Sequence, residues 1–532
     1  MEHSIDDTSF RSLADEAAKR WPGQVQVNID APRSICLLGC DGGCLEDVCC
    51  WAFSALGYRF ATLVVEEESE GWLLRYIFYG KSGSGQLHIL LRSPKEECSI
   101  PSISGLVHAA DWHEREAEDL FGLIFTGHPK LGDFVLHEEW PGDVKPMRSD
   151  FNARIPNERR ELDPEWQPQS IVQADGAFMM PIGPVYSDMA ESAYFALETV
   201  GEDVIRTIPR FFYKYRGVEK ISEGLPVEQV ILLSERFSGT SAFAHSLAFC
   251  QAVESIAGVD TPPRAKALRI TLAELERLRH HVAAITGICG STALLVATSQ
   301  AGILEEEALR MTGSFTGHRY LFGLNTPGGL SRDFDNLACG KLADDVTALT
   351  ERLCELNNML RYSSSFLDRI EEVGAIQREQ AITYGLVGPI ARASGLDWDL
   401  RRTLPYGGYE EVAFEVPTEI EGDGYARLRI LFREAEQSSA IIGKIARALP
   451  DSEIAKPFQY AAGKALGWVE APRGAAFHWV RIAEDGVVSR YRLTTPSFTN
   501  WHGFHLAAEN FAFQDFPIIM ATFGLSNAES DR

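Results

Sequence analysis

Five of the ten cysteines stand close together near the start of the chain, and thiolates at such density can ligate zinc or an iron–sulfur cluster. Cys36, Cys40 and Cys44 recur every four residues and are followed by the adjacent pair Cys49 and Cys50. The stretch contains neither a CxxCxxC run nor paired CxxC motifs. Because free cysteine is among the most buried residue types, the pattern favours structural thiols over a metal site.

A second set of residues combines an acid, a base and an imidazole. Glu274, Arg277 and His281 are spaced three and four residues apart, which places them on one face of a helix. The set has two interpretations, a proton path or coupling network and a structural ion-pair cluster that locks a helical bundle. Because intramolecular networks commonly serve no catalysis, the structural cluster is favoured.

The elements that position these residues predict an α+β protein with two domains. Residues 1–150 alternate short apolar runs with helical stretches, which predicts a small N-terminal α+β domain. Residues 151–180 are rich in proline and charge and have little periodicity, so we expect an extended linker. Residues 181–532 are dominated by long helical patterns and predict a mainly helical second domain.

Within the second domain, apolar residues keep helical spacing over Pro226–Ile256, Arg264–Leu304 and Leu342–Val373. The stretch 467–532 is richer in aromatic and alternating residues, which predicts strands and loops folded back on the bundle. The uncharged segment Val282–Leu304 is long enough to span a bilayer, but its serine, threonine and glutamine residues predict a buried core helix instead.

Composition excludes some classes of function. The 532 residues are 45% hydrophobic, which is enough for a sizeable core. With 75 acidic against 50 basic residues, the net charge of -25 would repel nucleic acid and anionic lipid, so we expect no nucleic-acid partner. The N-terminal MEHSIDDTSF lacks the basic and apolar regions of an export signal, so we expect a cytoplasmic protein.

Two stretches of the first domain resemble the complex I 30 kDa subunit. They are DWHEREAEDLFGLIFTGHPKL, from Asp111 to Leu131, and PMRSDF, from Pro146 to Phe151. The resemblance implies that the helix and turn within the first stretch dock on a neighbouring large subunit. The residues themselves predict a polar helix face ending at Gly122, and a solvated charged helix without a partner is the alternative.

The rest of the chain resembles the complex I 49 kDa subunit. It is more similar to the large subunit of formate hydrogenlyase-type (group 4) membrane-bound nickel–iron hydrogenases, which carry the same fusion. The matching stretches are PIGPVYSDMAES, FFYKYRGVEK, ERFSGTSAFAHSLAFCQAVE, LAELERLRHH, TGHRYLFGLNTPGGLSRD, GPIARASG, RRTLPYGGY, GWVEAPRG and LTTPSFTNW. This resemblance implies a hydrogenase large-subunit fold for the second domain.

Hydrogenases of this family hold nickel with four cysteines from two CxxC pairs. In this sequence the first pair falls on Ser238 and Ser241, and the second on Ser526 and Glu529. A nickel–iron centre needs thiolates, because soft sulfur both ligates nickel and bridges to iron. The chain also stops at Arg532, about where related precursors are cut after metal insertion. We therefore expect no nickel–iron centre and no active hydrogenase.

Other ligands of the same cavity are open alternatives. Arg216, Glu219 and His245 also belong to the cavity by resemblance, and Glu219 resembles the acid that passes protons near the metal in hydrogenases. A hard-metal site made of Glu529, Glu219 and a serine is the less favoured alternative, because buried serine and glutamate are more often simply hydrogen-bonded. We therefore expect no metal.

In the complex I branch the resemblance implies a quinone headgroup site that uses a histidine after the Gly-Pro pair and a tyrosine. The loop Gly183–Ala190 contains no histidine, and the tyrosine position falls on Gly239. Quinone binding in a remodelled cavity stays an open alternative. No GxGxxG turn supports NAD binding, which would rest on homology alone.

Taken together, the resemblance implies the large subunit of a membrane-associated oxidoreductase complex, peripheral on the inner face of the cell membrane. Its expected partners are an iron–sulfur small subunit with 4Fe-4S clusters and antiporter-like membrane subunits that translocate protons. Electrons would pass from the iron–sulfur partner to quinone or another acceptor. The alternative is a non-catalytic scaffold or coupling subunit of an ion-translocating complex. An open polar pocket beside Ser238 and Glu529 would favour the redox role, and a filled one the scaffold.

Overall fold

The computed structural model describes residues 7–81, 84–95, 99–155, 157–161, 175–186 and 191–532. Much of the predicted linker, at 156 and 162–174, and the loop residues 187–190 lie outside the described residues. The chain divides into two compact units, Met1–Gln167 with Thr383–Gly385 and Pro168–Ile382 with Leu386–Arg532. The first is rich in sheet and the second is mainly helical, so the α+β prediction is confirmed.

The first unit is built on a mixed sheet of five strands. Its elements are α1 Asp7–Arg20, β1 Val25–Asp30, β2 Ile35–Cys40, α2 Gly42–Cys50, β3 Arg59–Glu68, β4 Gly71–Tyr79, β5 Gln86–Pro94, β6 Ser99–Pro101, α3 Asp111–Phe121 and β7 Ile124–Thr126. The strand order is β1-β2-β5-β4-β3, with β2 parallel to β5 and the other pairs antiparallel. Every residue of β4 is buried, as expected for a central strand covered on both faces.

Helix α3 contains the charged stretch that resembles the 30 kDa subunit. It ends where the sequence predicts, at Gly122, whose φ of 74° is readily available only to glycine. Its charged residues are not solvated, however. Glu114 accepts hydrogen bonds from the Ser102 hydroxyl and the Ile103 N–H, and the Asp119 carboxylate accepts them from the backbone of residues 134–136. These carboxylates are buried because they satisfy the backbone of loops in their own unit.

The second unit combines a helical bundle with two four-stranded sheets and one two-stranded sheet. Its elements are β8 Ala177–Ile182, β9 Tyr194–Val200, β10 Asp203–Arg210, α4 Val218–Ser222, β11 Leu225–Pro226, α5 Val227–Arg236, α6 Ala242–Ala257, α7 Pro263–Ser291, α8 Leu295–Thr316, β12 Asn325–Thr326, β13 Gly329–Leu330, α9 Asn336–Arg361, α10 Ser364–Ile370, α11 Arg378–Thr383, α12 Gly388–Ala393, α13 Leu400–Thr403, α14 Gly424–Ile445, β14 Gly463–Ala471, β15 Gly474–Ile482, β16 Val487–Thr494, α15 Pro496–His502, α16 Phe504–Ala507, β17 Phe511–Ala512, α17 Phe516–Phe523 and α18 Asn527–Asp531. Helices α7, α8, α9 and α14 pack as the bundle, and α6 lies on the sheet β11-β16-β15-β14.

Three predicted helices are wrong as continuous elements. Leu342–Val373 is interrupted at Tyr362 and Ser363, between α9 and α10. The expected core helix Val282–Leu304 breaks between α7 and α8, where Ala293 has a left-handed φ of 57°. The Ser291 and Thr292 hydroxyls donate to the Ile288 carbonyl, which helps end α7. Val296, at the start of α8, is 64% exposed rather than buried. Among the described residues no helix is long and apolar enough to cross a membrane.

The break within the predicted helix Pro226–Ile256 creates a turn with polar side chains. Helix α5 ends at Arg236 and α6 begins at Ala242, with Ser238–Ser241 between them. Serine and threonine side chains compete with helical hydrogen bonds, and glycine disfavours a helix through its backbone entropy. The C-terminal prediction is half right. Strands β14–β16 are present, but short helices rather than loops follow them.

Helix α6 approaches the sheet closely because of one glycine. A Cβ built on Gly467 in β14 would lie 1.9 Å from the Ala248 carbonyl oxygen of α6. Only glycine therefore allows the two backbones to meet at this distance. The contact brings side chains of α6 and β15 together in the interior.

Candidate functional site

The candidate site is formed by two segments that are far apart in sequence. One is the turn Ser238–Ser241 before α6, and the other is the start of α18, where the Ser526 hydroxyl accepts a hydrogen bond from the Glu529 N–H at 3.2 Å. Arg216 joins the two. Its Nη2 donates to the Phe237 carbonyl at 2.9 Å and to the Ala528 carbonyl at 2.7 Å. The structure thus brings the segment with Ser238 and Ser241 close to the segment with Ser526 and Glu529.

Arg473, in the turn between β14 and β15, extends between these segments. Its Nη1 donates to the Thr240 hydroxyl at 3.0 Å and to the Ser241 hydroxyl at 3.1 Å, and its Nε donates to the Gly524 carbonyl at 2.7 Å. The same Nη1 lies 3.9 Å from Glu529 Oε1. A fixed guanidinium therefore stands between Ser241 and Glu529, two of the four positions that the resemblance assigns to metal ligands.

Glu529 is the one carboxylate of the set, and it is fully buried. Its Oε1 lies 3.1 Å from His245 Nε2, and its Oε2 accepts a hydrogen bond from the Ser497 hydroxyl. Burial opposes ionisation, but the Arg473 charge and the hydrogen bonds from His245 and Ser497 outweigh it and lower the pKa of Glu529 to about 2. The site therefore holds a carboxylate that is ionised at neutral pH.

His245 continues the site into the protein interior. Its Nδ1 lies 3.1 Å from His478 Nε2, and His478 Nδ1 lies 2.8 Å from the Tyr491 hydroxyl oxygen. The two imidazole rings stack with centroids 5.3 Å apart. Tyr491, His478, His245 and Glu529, which we call the Tyr491–Glu529 row, are all fully buried.

The remaining serines have partners within the chain. Ser526 donates to the Glu191 carboxylate, with both oxygens at 3.1 Å, and Glu191 also accepts the Ala528 N–H at 2.9 Å. Ser238 Oγ lies 3.5 Å from Thr240 Oγ1. Both serines are buried, so these contacts replace bonds to water.

Glu219 lies apart from Glu529, in a cluster of arginines. It accepts hydrogen bonds from Arg490 Nη1 at 3.2 Å and Arg492 Nη1 at 3.1 Å, and Arg532 Nε is 3.5 Å away. Burial opposes ionisation here as well, but the three arginines lower the pKa of Glu219. A carboxylate already shared by three cations does not fit the hard-metal site that combined it with Glu529.

The donor set does not suit a nickel–iron centre either. The four positions offer three hydroxyls and one carboxylate, which are hard ligands that do not bridge nickel and iron as thiolates do. The guanidinium of Arg473 adds a positive charge where a metal cation would need negative ligands. Across the part of the chain that the structure describes, no group of three or more His, Cys, Asp or Glu residues is arranged to hold a metal ion.

The helix-face set forms only part of the contacts expected of it. Arg277 Nε donates to Glu274 at 3.3 Å, but His281 pairs with Glu434 of α14, with Nε2 and Oε2 2.9 Å apart. Arg401 links Glu274 to further carboxylates. The buried groups joined in this way, the bundle ion cluster, are Glu274, Arg277, His281, Arg392, Asp399, Arg401, Glu434 and Glu470. A role of this cluster in proton movement stays a prediction.

The N-terminal cysteines are free thiols. Cys36, Cys44 and Cys49 are buried, and Cys40 and Cys50 are partly buried. Burial raises the pKa of Cys36 to about 11, so this thiol is protonated at neutral pH. The burial is of the kind that structural thiols show.

Three important residues of the site were missed by sequence reasoning. Arg473 lies within the motif GWVEAPRG, so the resemblance contained a signal for it. His478 stands out as an ionisable residue in the otherwise apolar strand stretch GAAFHWV. Tyr491 gives no such signal, because tyrosine is common in half-buried strands.

Comparison with known proteins agrees with the two-part organisation. The family described as respiratory-chain NADH dehydrogenase, 30 Kd subunit, matches residues 43–157, and the 49 Kd subunit family matches residues 296–459 and 451–532. Formate hydrogenlyase subunit 5 of Escherichia coli is 30% identical over 439 residues, which cover 81% of this chain and 77% of that protein. The chain belongs to the family of fused complex I 30 kDa/49 kDa subunits.

Other members of this fused family give the same assignment. Hydrogenase-4 component G of Escherichia coli is 30% identical over 81% of this chain and 76% of that protein. The C/D subunit of NADH-quinone oxidoreductase from Bdellovibrio bacteriovorus is 28% identical over 86% of this chain and 87% of that protein. These relatives are subunits or components of larger complexes, so this chain is a subunit of a complex I-like or hydrogenase-4-like complex. The recognition made from the motifs is confirmed at the level of the family.

Proposed function

We propose that this chain is the large subunit of a membrane-associated complex I-like assembly and that it works without a nickel–iron centre. The observation that carries the proposal is the position of Arg473, which binds Ser241 and lies 3.9 Å from Glu529. Its positive charge takes the electrostatic role of a cation among these residues. The site is thus neutralised by a side chain of its own.

The first role is electron transfer to quinone or another acceptor. Electrons arrive from 4Fe-4S clusters of an iron–sulfur small subunit, and antiporter-like membrane subunits use the reaction to translocate protons. The complex is peripheral on the inner face of the membrane. This role is supported by the relatives that are named as oxidoreductase or hydrogenase subunits. It is also supported by the protonatable pair His245 and Glu529, because reduction of a quinone takes up protons together with electrons.

The second role is that of a non-catalytic scaffold or coupling subunit. A specific observation favours it: Ser241, Ser526 and Glu529 are buried, and each is hydrogen-bonded to another group of the chain. Polar groups that satisfy one another in this way leave little unmet bonding capacity for an acceptor. The bundle ion cluster would then serve to keep the helices rigid.

The two roles are distinguished on the complex purified with its partner subunits. Metals are quantified by mass spectrometry, and reduction of a soluble quinone analogue is followed with a chemical electron donor. We expect iron from the partner, nickel at the background level, and quinone reduction that is lost in Arg473→Met with assembly intact. Stoichiometric nickel would contradict the metal-free proposal. Intact assembly without any reduction in the unmodified complex would reject the redox role in favour of the scaffold.

A control variant separates the site from general damage. Arg264→Met removes another largely buried arginine of the second unit, one that donates to the Phe334 carbonyl at 2.7 Å and pairs with Asp333. Because it does not contact the candidate site, we expect it to leave quinone reduction unchanged in complexes that assemble. Equal loss in both variants would mean that Arg473 acts only through folding.

A further inference from the structure

The Tyr491–Glu529 row has an arrangement that single buried histidines lack. It crosses four elements, with His245 on α6, His478 on β15, Tyr491 on β16 and Glu529 on α18. Both imidazoles use both ring nitrogens within the row, at separations of 2.8 to 3.1 Å. The row is therefore a continuous hydrogen-bonded path through the interior, and it ends at the candidate site.

The direction of one hydrogen bond in the row fixes the direction of the others. A neutral imidazole has one N–H donor and one acceptor nitrogen. Because Glu529 is ionised, His245 donates to it from Nε2 and accepts at Nδ1 from His478 Nε2. His478 then accepts at Nδ1 from the Tyr491 hydroxyl. Every hydrogen of the row points toward Glu529.

We propose that the Tyr491–Glu529 row takes up one proton and delivers it at Glu529 to the acceptor that is reduced in the candidate site. The proposal rests on the proposed redox role and adds to it the source of the proton. It assigns His478 and Tyr491, which no resemblance singled out, as positioning and proton-carrying residues of that site. The acceptor is of the quinone class or another group that binds a proton when it is reduced.

The proton balance of one cycle is simple. A proton arriving at the Tyr491 oxygen displaces the hydrogen of that hydroxyl onto His478 Nδ1, and His478 passes its Nε2 hydrogen to His245 Nδ1. His245 is then an imidazolium beside the Glu529 carboxylate, and it releases its Nε2 hydrogen through that carboxylate to the reduced acceptor. One proton enters, one leaves, and no electron moves within the row. Each imidazole is left with its hydrogen on Nδ1 instead of Nε2, and the return of both rings to the Nε2–H form completes the cycle.

The charges around the row oppose a lasting extra proton on His478. Burial and the neighbouring imidazole hold the pKa of His478 well below its usual value, whereas His245 is in direct contact with a carboxylate. At the Glu529 end, the row is influenced by the charges of Arg473 and Glu276. At the Tyr491 end, it is influenced by the charges of Arg532 and Glu219.

The first test observes the row without any redox reaction. The full chain is labelled with 15N in histidine, assigned with His245→Gln and His478→Gln, and titrated by NMR. We expect a scalar coupling between the facing nitrogens of His245 and His478. We also expect the 15N signals of both imidazoles to change at one common pH midpoint, because one proton added to the row changes the hydrogen positions on both rings. Separate midpoints, or the absence of the coupling, would overturn the proposal.

The second test uses the purified complex with Tyr491→Phe, which removes only the hydroxyl that begins the row. We expect quinone-analogue reduction to slow by about tenfold or more and the solvent deuterium isotope effect to rise, because proton supply becomes limiting. Tyr58→Phe is the matched control, since Tyr58 is a buried tyrosine that donates one hydrogen bond, to the Ser84 carbonyl at 2.8 Å. An active complex that Tyr491→Phe does not slow would overturn the row as the proton source.

Failure of the redox role gives a different result. If the unmodified complex reduces no acceptor while the common midpoint and the coupling are observed, the proposed electron transfer is rejected and the one-proton row stands. If the complex is active and the midpoints are separate, the row is rejected and the redox role stands.

Discussion

Replacing Glu274 tests whether the bundle ion cluster stabilises the second unit. The carboxylate is fully buried and accepts hydrogen bonds from Tyr409 Oη at 2.6 Å, Ser438 Oγ at 2.6 Å and Arg401 Nη1 at 3.0 Å. Burial opposes its ionisation, but Arg401 and Arg277 lower its pKa from 4.5 to about 2. That difference corresponds to about 3 kcal/mol of stability at neutral pH.

The sign of the effect determines its pH window. The pKa in the folded state lies below that of the unfolded chain, so the stabilisation is complete above pH 4.5 and is lost as the pH falls toward 2. Glu274→Gln keeps the shape and removes the charge, which leaves Arg277 and Arg401 buried with less compensation. We expect the free energy of unfolding at pH 7 to fall by about 3 kcal/mol. The difference from the unmodified chain should shrink at pH 3.5.

The assay is urea unfolding of the full chain at both pH values, followed by tryptophan fluorescence. The matched control is Glu306→Gln. Glu306 also has a pKa of about 2, because Arg319 and Arg310 donate hydrogen bonds to it, but its carboxylate is exposed on the surface. Solvent screens such a pair, so we expect no resolved change in the urea midpoint. Equal losses of stability in the two variants would refute the reasoning that burial makes the cluster stabilising. A Glu274→Gln variant as stable as the unmodified chain would refute it as well.

Three further predictions test the packing and electrostatics. Gly467→Ala should lower the urea midpoint strongly, since its Cβ would lie 1.9 Å from a carbonyl oxygen of α6. The control is Gly302→Ala in α8, which should be neutral or stabilising because its Cβ would meet nothing within 4 Å. Burial raises the pKa of Glu114 to about 7 from 4.5, so the stability it contributes is present below pH 4.5 and is lost as the pH rises through 7. Hydrogen exchange of α3, corrected for intrinsic rates, should therefore show more protection at pH 5.5 than at pH 8, and Glu114→Gln should remove the difference. Arg473→Met should raise the pKa of Glu529 and move the midpoint of acid unfolding to higher pH. Arg473→Lys, which keeps the charge, should return most of this shift in midpoint. An unchanged acid midpoint in Arg473→Met would contradict the charge pairing.

The fold class and the family could be predicted from the sequence because motif stretches run along most of the chain. The helix breaks could not. Apolar periodicity continues across Ser291–Leu295, and only the hydroxyls that bond back to Ile288 and the left-handed Ala293 end the helix there. Burial of Glu114 was also missed, because charge predicts a solvated face until loop N–H groups are seen to satisfy it.

For the site, too, the sequence predicted what motifs record and missed what depends on contacts between distant elements. Local spacing cannot bring Ser241 and Glu529 to the same arginine, and only the resemblance to two distant cysteine pairs predicted that their segments lie close together. Arg473 and His478 lie in the middle of the sheet region, and their role depends on α6 crossing that sheet closely at Gly467. Such contacts between distant elements carry no periodic signal in the sequence.

Charge balance explains why these substitutions are compatible with a buried site. Four thiolates bring up to four negative charges, which only a metal centre can neutralise in the interior. Three serines and Glu529 bring one, and Arg473 at 3.9 Å together with a hydrogen bond from His245 is enough to hold it. Restoring one cysteine would therefore add a thiol that burial keeps protonated rather than a metal ligand.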